Sequence, residues 1–129
     1  MPFTIIRQDI SKMQVDAIVN SANTGLKMGG GVSGAIFNGA GKFQLEAACR
    51  KLAPIQPGEA VLTPGFNLPA KYIIHTVGPI YRGGRHGEAD VLRAAYTNSL
   101  YLAVENDIFS IAFPLISGGA YGYPKAEAL

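Results

Sequence analysis

Short apolar runs rich in Ile, Val and Phe alternate along this chain with longer segments whose apolar residues recur at helical spacing. Residues 3–6 (FTII) and 15–20 (VDAIVN) read as strands, and the second, apolar but for Asp16 before its closing Asn20, has the pattern of a strand buried on both faces. Residues 32–42 (VSGAIFNGAGK) and 43–53 (FQLEAACRKLA) read as helical, with a break expected at Gly39–Gly41. EAVLTPG at 59–65 and KYIIHTVGP at 71–79 are further strands, each closed by Pro or Gly. The clearest helix is residues 88–106, where Val91, Leu92, Ala95, Tyr96, Ser99, Leu102 and Ala103 share one face. IFSIAFPLI at 108–116 is the last strand, and KAEAL at 125–129 reads as the opening of another helix.

Strands alternating with crossover helices predict an α/β domain of three layers, with a mixed or largely parallel sheet between helices. The chain of 129 residues is expected to be a single domain, with the final strand and helix of a complete domain absent after KAEAL. Composition narrows the classes further. With 48% hydrophobic and 16% charged residues the chain is globular, and a net charge of +2 is too weak a field to indicate nucleic acid or membrane. Cys49 is the single cysteine, so an internal disulfide and a cysteine metal site are excluded and a reducing, cytoplasmic setting is expected.

The chemistry lies in two glycine-rich loops. MGGGVSG (28–34) places four glycines just ahead of a helix, where backbone N–H groups can turn toward an anion without Cβ interference. Gly29, Gly31 and Gly34 match a dinucleotide fingerprint, but the glycines stand well beyond the strand end at Asn20 and no strand-terminal acid follows at the required distance. GAGK (39–42) fails as a P-loop, since Ile36 occupies the place of the first glycine and Phe43 that of the magnesium-binding hydroxyl. The remaining reading is a long polar loop holding a sugar through Asn20 and Asn23 and a phosphate through the glycines. SGGAYGYP (117–124) repeats the pattern after the last strand. Two anion loops at one sheet end suit a diphosphate, most simply a nucleoside diphosphate sugar.

QDISKMQVDAIVNSAN (8–23), GGGVSGAIFNGAG (29–41), LPAKYIIHTVGP (68–79) and SIAFPLISGGAYGYP (110–124), in this order, resemble a macrodomain, the ADP-ribose-binding module, of the bacterial O-acetyl-ADP-ribose deacetylase-like kind. The resemblance implies that Asp9 accepts from the adenine amino group beside the Ile10 backbone, and that Asn20 and Asn23 face the distal ribose. Gly30, Gly31, Val32, Ser33 and Gly34 would lie against the diphosphate and distal ribose. Ser117, Gly118, Gly119, Ala120, Tyr121 and Gly122 would face the diphosphate, with Tyr121 and Tyr123 as walls. It implies ADP-ribose as ligand or product, ADP-ribosylated protein as partner, and neither cofactor nor metal.

Hydrolytic members usually carry Asp at the position of Ser33 and often His at that of Phe37. The hydroxyl of Ser33 cannot act unaided as a general base. Slow hydrolysis of ADP-ribosyl esters or O-acetyl-ADP-ribose, with Asn23 and backbone groups positioning a water that a substrate phosphate activates and Ser33 in the place of the usual catalytic Asp, stands beside a non-catalytic ADP-ribose reader and a phosphatase acting on a phosphorylated ribose derivative. Macrodomains commonly supply an aromatic wall for adenine from beyond the last helix seen here, so weaker binding or a partner surface is expected. Plainer roles compete for several of these residues. Asp9 suits a turn cap, Asn20 and Asn23 suit loop clips, and Cys49 and His75 suit the core. His86, Arg82 and Arg85 suit an exposed loop, and one of Tyr121 and Tyr123 is expected to be buried.

Overall fold

A computed structural model describes residues 4–118, 121, 122 and 124. Its elements run β1 (Ala17–Ser21), α1 (Gly31–Ala40), α2 (Lys42–Arg50), β2 (Ala60–Pro64), β3 (Tyr72–Thr76), α3 (Glu88–Glu105) and β4 (Ile111–Ala112), with a 3-10 turn at Ile10–Lys12 before β1. The break between α1 and α2 falls on Gly41, whose φ of 106° is open to glycine and costly for other residues. The strands form one mixed sheet in the order β2-β3-β1-β4. β1 pairs in parallel with β3 and with β4, and β2 runs antiparallel to β3.

Strand alternation sorts the side chains onto two faces. Ile18 and Ile73 join Ile36, Phe37 and Ala40 of α1 and Leu45 and Cys49 of α2 in one core cluster. Ala17, Val19 and Ile74 join Leu92, Ala95 and Ala103 of α3 in the other. Helices therefore cover both faces, as the alternation predicts, and β1 is apolar because both of its faces are buried. Its polar exception has a job. The Asp16 carboxylate accepts N–H bonds from Phe109 (2.9 Å) and Ser110 (3.2 Å), while Ser110 Oγ accepts from the Asp16 N–H (2.8 Å). These bonds, the one from Phe109 foremost, hold the Asp16 carboxyl below its usual range and pin the start of β4 to the start of β1.

Two expectations need correction. Residues 4–6 form no strand: Ile5 and Ile6 are 66% and 52% exposed, with no sheet neighbour among the described residues to pair their backbone. The last strand is shorter than residues 108–116, because only Ile111 and Ala112 pair with β1 before Pro114, which has no N–H to offer a ladder. Beyond it, Tyr96 of α3 holds the chain by donating to the Pro114 carbonyl (3.5 Å), accepting from the Ile116 N–H (3.2 Å) and packing its ring on Phe113. The expected helix at KAEAL lies outside the described residues. No helix among the described residues is long and apolar enough to cross a membrane.

Candidate functional site

Because β1, β3 and β4 are mutually parallel, the loops that leave them emerge at one end of the sheet. The first carries the chain from β1 to α1. Asn23 shapes it: its Oδ1 accepts the Lys27 N–H and its Nδ2 donates to the Lys27 carbonyl, both at 3.0 Å. That clip holds the buried Leu26 at φ 51°, a left-handed conformation unfavourable for leucine. The loop then meets α1 at Gly30, which has no side chain to cap the helix. Gly31 follows at φ 56°, and neither Gly30 nor Gly31 has an atom within 4 Å of where a Cβ would stand. No side chain caps the opening N–H groups of α1, and Gly30, Gly31 and Val32 are exposed at the positive end of its dipole. Ser33 Oγ accepts from the Gly29 N–H (3.3 Å), closing the turn. Gly34 packs so tightly that a Cβ there would stand 2.9 Å from the Gly29 carbonyl oxygen.

The second loop follows β4. Ser117 is buried at φ 63°, and its Oγ has no hydrogen-bond partner among the described residues. It rests directly over Gly78, where a Cβ would collide with that hydroxyl. Tyr121 is partly buried against the α1-side core, and its carbonyl accepts from the Tyr81 N–H (2.8 Å). This bond ties the second loop to the loop that leaves β3. Gly119, Ala120 and Tyr123 lie outside the described residues.

The loop between β3 and α3 is organised by Glu88, a role the sequence reading missed. Its carboxylate accepts N–H bonds from Arg82 (2.8 Å), Gly84 (3.0 Å) and His86 (2.6 Å). Burial pushes its pKa up, but those backbone donors outweigh it and hold the group at about 2. An acid in the first turn of a helix after a glycine-rich loop was the available signal. Arg82, Arg85 and His86 are exposed around it.

Several candidate residues sit away from the loop tips. Asp9 is exposed and caps the 3-10 turn, accepting from Ser11 N (3.0 Å) and Ser11 Oγ (2.6 Å); the hydroxyl bond above all lowers its pKa. Ile10 is buried, and this turn packs near the C-terminal end of α1, with Ser11 Cβ 3.9 Å from the position of a Cβ on Gly39. Asn20 is 1% exposed and turned into the core, where its Nδ2 lies 3.1 Å from His75 Nδ1. His75 Nε2 meets Thr63 Oγ1 at 2.9 Å and Cys49 Sγ at 4.0 Å. With Asn20 donating, Nδ1 is the acceptor and Nε2 carries the proton toward Thr63, a neutral imidazole fully paired. Burial lowers the His75 pKa to about 4 and raises that of the Cys49 thiol to about 11, so neither is a ready acid, base or nucleophile at neutral pH. Phe37 is 1% exposed in the core. Among the described residues no cluster of His, Cys, Asp and Glu could hold a metal ion.

The fold and site thus define an α/β domain with two backbone-rich loops at one end of its sheet. The model of the Macro domain family matches residues 19–129. An O-acetyl-ADP-ribose deacetylase of Citrobacter rodentium is 55% identical over 127 residues, covering 96% of this chain and 72% of that one. Among solved structures, the Oceanobacillus iheyensis macrodomain with ADP superposes with a TM-score of 0.89 at 42% identity, covering 94% of this chain and 67% of that one. The Trypanosoma brucei macrodomain in complex with ADP-ribose gives 0.85 at 45% identity, covering 95% and 50%. The chain belongs to the macrodomain family.

Proposed function

We propose that the chain binds ADP-ribose in the crevice at the carboxyl ends of β1, β3 and β4 and turns over ADP-ribosyl esters or O-acetyl-ADP-ribose slowly. The observation that carries this reading is the opening of α1, which no side chain caps and where the exposed Gly30 and Gly31 put no side chain in the way of an anion. Residues 30–34 take the diphosphate and distal ribose, and the loop of Ser117–Gly122 takes the diphosphate from the facing side. Asp9 and Ile10 take adenine. The separation supports this: eight residues of helix from Gly31 to Gly39 span about 12 Å, a fitting length for an extended nucleoside diphosphate sugar. Asn23 shapes the wall beside the ribose, and Asn20 supports that wall from the core. ADP-ribosylated protein is the macromolecular source of the ligand, and the buried single thiol of Cys49 suits a reducing cytoplasm.

Slow turnover follows from Ser33. Neither glycine-rich loop carries Asp, Glu or His, and a missing general base typically removes about 10²- to 10⁴-fold of rate. The Ser33 hydroxyl is also engaged with the Gly29 N–H, which favours a purely binding role as the second reading. Calorimetric titration with ADP-ribose, with ADP and NAD as controls, tests binding, and absence of heat at sub-millimolar ligand overturns it. Release of ADP-ribose from a modified acidic side chain tests turnover. Ser33→Asp is expected to raise the rate by about 10²-fold or more, and an equal rate in both proteins defeats the argument from the missing carboxylate.

A further inference from the structure

The first loop has another charged wall. Residues 25–29 and three side chains of α2, Lys42, Glu46 and Arg50, line a cavity of about 420 Å³. Lys27 contributes a third cation from the loop. None of these four charged side chains makes an ion pair among the described residues. Gly29 links the cavity to the proposed ligand crevice, since it lines the cavity and gives its N–H to Ser33.

The geometry points to this cavity as the docking site for an acidic peptide segment flanking the modified side chain of an ADP-ribosylated protein, an inference that rests on the ADP-ribose reading above. Three cations against one carboxylate leave the wall net positive. Their spacing selects the shape of the partner. Lys42 and Arg50 stand eight residues apart on one helix face, about 12 Å along the axis. An extended chain rises about 3.3 Å per residue, so two acids four residues apart span about 13 Å and meet both cations. Glu46 lies midway between them and repels an anion placed at the centre, which disfavours a compact phosphate. It favours instead a neutral or basic residue between the two acids. Nucleic acid fits poorly, because no aromatic side chain lines the cavity to stack a base.

The test compares peptides that carry ADP-ribose on one acidic side chain and a flank on either side of it, with two Glu or two Gln four residues apart. Wild-type protein is expected to bind the Glu-flanked peptide about five- to tenfold more tightly at low salt, the scale of two exposed ion pairs. The advantage should shrink as salt shortens the Debye length to a few ångströms. Lys at the centre of the flank should bind more tightly than Glu there. In Lys42→Gln/Arg50→Gln the advantage should vanish while affinity for free ADP-ribose stays at the wild-type value and the thermal midpoint confirms folding. An equal preference for Glu and Gln in wild type, or a preference that survives in the double variant, overturns the inference. Binding of unmodified single-stranded RNA that the double variant loses would give the cavity to nucleic acid and also overturn it. Failure of wild type to bind free ADP-ribose is a separate result, and it removes the reading beneath.

Discussion

His75 makes stability depend on pH in a way that can be calculated. The imidazole is fully buried between Asn20 Nδ2 and Thr63 Oγ1, and burial lowers its pKa from the ordinary 6.5 to about 4. Above pH 6.5 both folded and unfolded chains hold it neutral, so it adds no pH dependence. Between 6.5 and about 4 the unfolded chain takes up a proton that the folded one refuses, so stability falls as pH falls. At about 1.4 kcal/mol for each tenfold difference in proton affinity, the loss across the window is about 3 kcal/mol. Charging the ring in place is opposed by geometry as well, since Nδ1 would become a donor facing the donor of Asn20. Urea unfolding followed by far-ultraviolet circular dichroism and by the intrinsic fluorescence of the six tyrosines, at pH values from 8 to 4, measures this. The comparison is with His75→Gln, which is less stable at pH 8 but lacks the titrating ring. Wild type should lose about 3 kcal/mol more than the variant on acidification, and the subtraction cancels the carboxylates common to both. Parallel pH profiles for the two proteins would refute the reasoning.

Two further changes probe the loops. Glu88→Gln removes the charged acceptor of three backbone donors, so its urea midpoint at pH 7 should fall below that of wild type. Because the Glu88 pKa is held at about 2, against an ordinary 4.5, its stabilisation is whole above 4.5 and is lost as pH drops toward 2, and the variant should lack that part of the acid sensitivity. Gly78→Ala drives a methyl group into the buried Ser117 hydroxyl and should lower the thermal midpoint by several degrees, with ADP-ribose affinity falling in the same protein as the second loop shifts. An unchanged midpoint and affinity would show that Ser117 does not rest on Gly78.

Much of this arrangement is legible in the sequence, because the hydrophobic effect writes it there. VDAIVN is apolar because β1 is buried on both faces, and the spacing of Leu92, Ala95, Ser99 and Ala103 marks the buried stripe of α3. Strand pairing is less legible. FTII has the composition of a strand, but strand structure needs a neighbour for its backbone, and composition does not reveal one. The early end of β4 was more legible, since Pro114 stands inside the expected strand and has no N–H for a ladder. At the site, residue type told what a side chain could bond and left open what it does bond. Asn20 and Asn23 looked alike as sugar ligands, yet one pairs with a core histidine and the other clips its own loop. Glu88 drew no attention because its partners are backbone N–H groups, which carry no signature in the sequence.

Such polar contacts, together with a few buried apolar anchors, hold the two glycine-rich loops in shape. Leu26 and Ser117 are two of the four non-glycine residues with positive φ among the described residues, and one sits in each of the two loops. A conformation of that kind costs about 1–3 kcal/mol and persists only where surrounding contacts outweigh it. Around Leu26 those contacts are the two Asn23 bonds and its own burial. Around Ser117 they are Ile116 in the α3-side core, the Tyr96 hydroxyl on the Ile116 N–H, and the Tyr81–Tyr121 bond that anchors the loop beyond. All of these bonds lie within the chain, so they restrict the loops without a ligand's contribution to any of them.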